Sequence, residues 1–301
     1  MSSIELKSRA KINLSIDVLG KREDGYHLVE MIMQTIDLYD IIKIKEIDID
    51  EIKINSNSLD IPLNENNIVY KSAKILKDKF NIKTGVEIFI EKNIPVAAGM
   101  AGGSSNAAAV LVGLNKLWNL NLSEIKLQEI GLKLGADVPF CISGNAALAK
   151  GIGEELSYIK GLPKDTIILV CKPNLFVSTK EVYEGLKLQN IKNRPDNNFL
   201  IECLKKGNIN LLATNMVNVL ETVTSKMHKE IKEIEEVMLR NNALGSMMSG
   251  SGPTVFGLFD KELDSLNAKE ELLKKYNQVY VVRSSEKGVE VNEEFNEVKS
   301  R

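Results

Sequence analysis

Residues 95–106 read PVAAGMAGGSSN and run without a break into AAAVLVGLNKLW. A run of small residues feeding an alanine-rich apolar segment predicts a loop that enters a helix near Ser104. Pro95, Val96, Ala97, Ala98, Gly99, Met100 and Ala101 form the approach, and Gly102, Gly103, Ser104 and Ser105 form the entry. Small side chains let backbone come close to a ligand, and Gly accepts positive φ. The first N–H groups of a helix have no partner inside it, and with the positive end of the helix dipole they favour an anion. Ser104 and Ser105 add hydroxyls where a phosphate oxygen or Mg²⁺ would sit. A tight strand–helix turn with a serine N-cap draws on the same residue types. The run here is longer than a cap needs, which favours phosphate.

The common phosphate loops are absent. A Walker loop ends in Gly-Lys-Ser/Thr, and the chain has no such triplet. It also lacks the GxGxxG dinucleotide fingerprint with its following acid, and the HRD and DFG triplets of protein kinases.

At 301 residues the chain is long enough for two domains. It is 44% apolar and 27% charged, an ordinary globular composition with ample core. The net charge is −2 and the pI about 5.9, with lysines and arginines scattered among acids. This balance argues against a nucleic-acid or membrane partner, so an anionic ligand needs local positive charge. No apolar run approaches the roughly 18 residues of a spanning helix. MSSIELKSRAKINL lacks the apolar centre of a signal peptide, and the expected location is cytoplasmic. Cys141, Cys171 and Cys203 are odd in number and far apart, and only His27 and His228 could join them at a metal. Reduced thiols are expected, with no zinc cluster.

Along the chain, Ile12, Leu14, Ile16 and Val18 alternate with Lys11, Asn13, Ser15 and Asp17, which predicts a strand with one buried face. Lys11 and Asn13 would then stand side by side on the other face. Asp24-Gly25 marks the reversal. Residues 41–54, rich in alternating isoleucine, read as a hairpin. Residues 67–80 read as a helix capped by Asn66 or Asn67, and Val86, Ile88 and Ile90 as a strand entering the loop. A second helix is expected to start after Ser123 and stop by Gly135. ADVPFCISGNAALAKGIGEEL, residues 136–156, reads as a loop followed by a short strand and turns, and residues 152–165 as the boundary between domains 1–160 and 161–301. Beyond it come a strand at 166–172, helices near 179–187, 197–205, 208–220 and 225–241, and strands near 254–259 and 278–283 around a helix at 261–275. Strands and helices mix without a βαβ rhythm, so the class is α+β. The charged tail from Glu286 is expected to fray.

Three separated pieces then need one explanation: Lys11 and Asn13 on a strand, the loop at 95–105, and SGSGPT at 249–254. Together they resemble the three motifs of the GHMP kinase superfamily. AKINLSIDVLGKREDGYH (10–27) and LGADVPFCISG (134–144) are similar to one branch of it. That branch phosphorylates a cytidine diphosphate-methylerythritol on the methylerythritol phosphate route to isoprenoids. The resemblance covers most of the chain and implies a two-domain fold. Its N-terminal domain would be ribosomal-protein-like and its C-terminal domain ferredoxin-like, with the active site in the cleft between them. It implies ATP and Mg²⁺ as cofactors and a small-molecule substrate, and leaves monomer or homodimer open.

By that resemblance Asp137 accepts the proton of the substrate hydroxyl, a role that positioning serves better than basicity in a loose phosphoryl-transfer transition state. On its own an Asp in such a loop reads as a turn residue that bonds its own backbone. Lys11 becomes the electrostatic partner of Asp137 and of the transferred phosphoryl, and Asn13 binds substrate or orients Lys11. The loop at 95–105 wraps the triphosphate, with Ser104 or Ser105 nearest a metal whose other ligands stay unassigned. Tyr26 and His27 hold the cytosine, with Tyr183 on its other side. Gly250, Ser251 and Gly252 border the substrate from the second domain. Two departures stand out. Residue 106 is Asn where many relatives carry Asp, which puts a charged metal ligand there in doubt. Residue 101 is Ala where others have Gly.

Two other functions remain on the same fold. One is a kinase for homoserine, mevalonate or a sugar, which has no use for KREDGYH. The other is a non-catalytic ATP-binding regulator, which has no use for the Lys11/Asp137 pair.

Overall fold

The computed structural model describes residues 2–292. The first half runs β1 (Ser3–Lys21), β2 (His27–Ile47), β3 (Ile52–Ser56), α1 (Ile68–Phe80), β4 (Gly85–Glu91) and α2 (Gly102–Leu117). It continues through α3 (Glu124–Leu132), α4 (Val138–Ser143), β5 (Ala146–Lys150) and β6 (Glu155–Ile159). The second half runs β7 (Ile167–Lys172), α5 (Thr179–Gly185), α6 (Asn197–Lys206), α7 (Ile209–Asn215), α8 (Glu221–Met227) and α9 (Glu230–Arg240). Then come β8 (Gly245–Met248), β9 (Val255–Phe259), α10 (Glu262–Leu273), β10 (Gln278–Arg283) and β11 (Val289–Val291).

Among the described residues the strands form two sheets. The first has seven strands in the order β11-β1-β2-β4-β3, with β5 beside β2 and β6 outside β5. The second is antiparallel in the order β10-β7-β9-β8. That order is the ferredoxin-like one, and the class is α+β. One apolar cluster joins Ile42, Ile44, Ile88 and Ile90 to Ala107, Leu111 and Leu114 of α2. Gly113 lets α2 lie close to the sheet: a Cβ there would stand 2.8 Å from Ile44 and 2.9 Å from Leu6. A second cluster fills the space between the sheets, where Ile12, Leu14, Ile32 and Ile36 meet Ile168, Val170, Phe256 and Leu258.

The strand carrying Lys11 is buried on both faces, not one: Lys11, Asn13, Ser15 and Asp17 are all buried. Nor do its apolar residues share a side. Register against β2 shifts between Arg9 and Lys11 and again between Asn13 and Ser15. Leu6 and Ile16 therefore join the first cluster, while Ile12 and Leu14 join the second. Such shifts re-aim side chains. Here they turn Lys11, Asn13 and Ile16 toward one cavity.

Other expectations need correction. Residues 41–54 are no hairpin: β3 pairs in parallel with β4, which lies between it and β2. The connection crosses over Gly85, where a Cβ would stand 1.9 Å from the Ile49 carbonyl oxygen. Residues 138–143 are a short helix, not a loop. The helix expected over 208–220 stops at Asn215, because Val217 and Val219 pair with Ile16 of β1. The one expected over 225–241 is broken at His228, which is extended. β8 was not anticipated. The tail does not simply fray from Glu286, since β11 returns to pair with β1; residues 293–301 lie outside the described residues.

The entry to the small-residue loop is fixed by Asp40, which is fully buried. Its Oδ1 accepts the N–H groups of Asn93 and Ile94 (2.7 Å each), and its Oδ2 accepts from Lys92 Nζ (2.7 Å). Burial pushes the Lys92 ammonium below its usual range and the Asp40 charge opposes that shift. Asp40→Ala should cost about 3–5 kcal/mol, because it strands a buried cation. Urea unfolding would measure this, and a loss under 1 kcal/mol would contradict the pairing.

Candidate active site

The loop at 95–101 holds three residues at positive φ in alternation: Ala97 (51°), Gly99 (72°) and Ala101 (55°). α2 starts directly after it, at Gly102, with no side-chain cap. The first-turn N–H groups of Gly102, Gly103 and Ser104 thus have no acceptor within the helix. A loop of this curvature at an uncapped helix N-terminus presents converging donors to an anion. The start at Gly102 also separates the two serines. Ser104 faces the cavities, whereas Ser105 is fully buried, 2.8 Å from Ser8 Oγ and donating to the Arg9 carbonyl (2.6 Å). Ser105 is therefore not available as a metal or phosphate ligand. Met100 is buried in the core, and its carbonyl oxygen accepts the Lys11 N–H (3.2 Å).

Two cavities meet over this loop. One, of about 450 Å³, is lined by Pro95, Val96, Ala97, Ala98, Gly102 and Gly103 on one side and by Ile61, Pro62, Asn66, Ile68 and Lys92 on the other. Asn106 also lines it, its Oδ1 accepting from Ser8 Oγ (3.0 Å). The larger, of about 860 Å³, holds Lys11, Asn13, Tyr26, His27, Asp137, Tyr183, Gly250 and Ser251. Gly99, Ala101 and Ser104 line both. Gly252 is not among the lining residues; it turns at φ 86°, where a Cβ would stand 2.5 Å from the Met248 sulfur.

Lys11 is 5% exposed and Asn13 is fully buried, and Lys11 Nζ donates to Asn13 Oδ1 (2.7 Å). Asn13 is held in turn by Met31, its Nδ2 lying 3.2 Å from the sulfur. The bond fixes the ammonium toward the cavity and offsets part of its desolvation. Among the described residues Lys11 and Asp137 form no ion pair within 4.0 Å; they face the same space. Asp137 precedes α4, whose Pro139 suits a first turn.

The far end of the larger cavity is aromatic. The β1–β2 turn is closed by an Arg22 N–H to Tyr26 O bond (2.7 Å), with Gly25 at φ 92°. It presents Tyr26, 61% exposed, at the cavity edge. His27 packs on Tyr183 with ring centroids 4.9 Å apart. Burial, and then the charge of Lys21, hold His27 below the ordinary 6.5, so at neutral pH it offers one donor and one acceptor. Burial, with a smaller part from Asp137, pushes the Tyr183 phenol up to about 12.

Sequence reasoning missed Lys21, Thr179, Glu184 and Leu220 in the larger cavity, and the whole 61–68 wall of the smaller one. No motif marks them; their signal is tertiary. Thr179 Oγ1 lies 2.8 Å from Ser251 Oγ, a contact between residues 72 positions apart. The three cysteines are buried free thiols, and burial raises those of Cys141 and Cys171 above their usual range, which disfavours the nucleophilic thiolate at both. His228 caps α8 outside both cavities. No helix among the described residues is long and apolar enough to cross a membrane.

The two-sheet fold with paired cavities over a helix N-terminus is that of a GHMP kinase. The model of the GHMP kinases N terminal domain matches residues 67–145, and that of the GHMP kinases C terminal matches residues 200–278. The chain is 75% identical to 4-diphosphocytidyl-2-C-methyl-D-erythritol kinase of Clostridioides difficile (strain 630), covering 98% of this chain and 100% of that one. It is 52% identical to the protein of that name in Alkaliphilus metalliredigens (strain QYMF), over 94% of this chain and 97% of the relative. A crystal structure of 4-(cytidine 5'-diphospho)-2C-methyl-D-erythritol kinase superposes with a TM-score of 0.80 at 29% identity, covering 94% of this chain and 99% of that one. Homoserine kinase from Cytophaga hutchinsonii shares the fold at a TM-score of 0.77 and 19% identity, over 97% of this chain and 98% of that one. The chain belongs to the 4-diphosphocytidyl-2-C-methyl-D-erythritol kinase family of the GHMP kinases.

The environment of His27 makes a prediction that needs no substrate. Its imidazole should titrate below 6.5, and Lys21→Ala should move the midpoint upward by removing a neighbouring charge. An NMR pH titration reads both. A wild-type midpoint above 6.5, or a downward move in the variant, would contradict the assignment of cause.

Proposed function

We propose that this protein transfers the γ-phosphoryl group of ATP to the 2-hydroxyl of 4-diphosphocytidyl-2-C-methyl-D-erythritol, giving ADP and the 2-phosphate. The observation that carries the reading is the junction of two cavities at Gly99, Ala101 and Ser104, with Lys11 and Asp137 in the larger one. The smaller cavity suits the nucleotide, with the uncapped N-terminus of α2 under its phosphates. The larger suits a substrate with a heteroaromatic head. Tyr26 stacks on the cytosine, His27 bonds its edge, and Tyr183, already against His27, closes the other side.

In this reading the substrate oxygen attacks the γ-phosphorus as the bond to the β,γ-bridging oxygen breaks. The electron pair of that bond leaves with ADP, and the hydroxyl proton passes to an Asp137 oxygen. Lys11, aimed by Asn13, offsets the charge that gathers on the transferring group. Gly250 and Ser251 bring second-domain backbone to the same point. Mg²⁺ takes few protein oxygens and keeps phosphate and water ligands. The donor set fits that habit, with the Ser104 hydroxyl at the junction and Asn106 in place of a carboxylate. When bound there, the ion would neutralise phosphate charge.

Phosphate transfer from ATP and Mg²⁺ tests the function directly, with homoserine, mevalonate and galactose as parallel acceptors. Transfer to the cytidyl substrate alone is expected. Transfer to another alcohol would discard the substrate assignment, and ATP binding without any transfer would favour a regulator. Asp137→Asn should lower kcat by about 10²–10⁴-fold while ATP affinity holds; near-normal turnover would remove Asp137 from the base role. Tyr26→Ala should raise KM for the cytidyl substrate by about tenfold, the loss of ~1–1.5 kcal/mol of stacking. An unchanged KM would sink the stacking role.

A further inference from the structure

Six hydrogen bonds in four links close a ring around the junction of the two cavities. The Lys11 N–H donates to Met100 O (3.2 Å), which ties the strand of Lys11 to the phosphate loop. Gly99 then meets the loop of the third motif, residues 249–254, here the third loop: Ser249 Oγ donates to Gly99 O (3.0 Å). Behind the third loop, the Asn218 amide donates to both Met248 O and Gly250 O (2.8 Å each). Finally the segment around Asn218 returns to β1, with Ile16 N–H to Val217 O at 2.9 Å and Val219 N–H to Ile16 O at 3.0 Å. Asn218 is 5% exposed, lines neither cavity, and its Oδ1 accepts the Leu220 N–H (3.0 Å), so its amide has one orientation. Glu221 and Thr224 also hold the third loop, through Met248 N–H and Ser251 O, but they tie it to α8. Asn218 ties it to the strand that carries Lys11.

We propose that Asn218 is a positioning residue for phosphoryl transfer. It sets the separation of β1 from the loop at 249–251 and, through Gly99, the place of the phosphate loop relative to Lys11. The inference rests on the kinase reading above. A displacement of about 1 Å at a reacting centre can cost on the order of a hundredfold in rate. Substrate held at the β1–β2 turn by Tyr26 and His27 lies outside the ring.

The test is Asn218→Asp, nearly isosteric but without a donor for two carbonyl oxygens when ionised. Asn218→Ala removes the amide without adding charge, and serves if the first variant does not fold. Kinetics are compared per folded molecule, with the folded fraction read from thermal unfolding. A kcat lower by roughly a hundredfold is expected, with KM for the cytidyl substrate within about twofold. In a double-mutant cycle with Ser249→Ala, the next link of the ring, the losses in kcat should fall well short of multiplying, as for residues acting as one unit. A kcat within about threefold of wild type, a loss confined to KM, or losses that multiply would overturn the proposal. A wild-type protein that transfers nothing overturns the kinase reading and this inference together; an active wild type indifferent to Asn218 overturns this inference alone.

Discussion

Two glycine turns touch backbone to backbone, and the rest of the site depends on that contact. Gly99 sits at φ 72° and Gly250 at φ 61°. A Cβ on Gly99 would stand 2.3 Å from Ser249 O, and one on Gly250 would stand 3.0 Å from Gly99 O. Neither turn tolerates a side chain, so the loops from the two halves of the chain reach the same point. That approach makes a single junction of what would otherwise be separate clefts. It brings second-domain backbone beside Lys11 and Asp137.

Electrostatics at this junction is local. The chain as a whole carries −2, so attraction of a polyphosphate comes from oriented groups and not from a global field. In the proposed reaction an uncapped helix N-terminus and the buried Lys11 supply it. Lys11 would be expensive to bury alone; the Asn13 carbonyl oxygen offsets part of that cost while leaving the charge uncancelled. A carboxylate in the same position would tie the ammonium up in an ion pair. The neutral partner keeps it free to respond to charge that develops on a bound phosphoryl group.

Much of this was legible in the sequence. The small-residue loop, the Asn67 cap of α1, the Asp24-Gly25 turn and the apolar period of most elements depend on local chemistry, which a sequence displays. What was not legible depends on pairing. The alternation from Ile12 to Val18 looks regular, yet two register shifts set Ile12 and Ile16 in different cores. The isoleucines of β2 and β3 suggest a hairpin until β4 is seen between them. Ser104 and Ser105 look interchangeable until the first residue of α2 is fixed, because about 100° of helix rotation separates them. The wall at 61–68 belongs to the site only because β3, α1 and β4 fold it there.

The proposed reaction is a single in-line displacement at the junction, with Asp137 taking a proton and never the phosphoryl group. Its most direct measurement is the stereochemistry of transfer from ATP made chiral at the γ-phosphorus with oxygen isotopes. One displacement between the two cavities predicts inversion at phosphorus in the product. Retention would mean two displacements through a phosphorylated enzyme group, and would rule out Asp137 as a proton acceptor in one direct transfer.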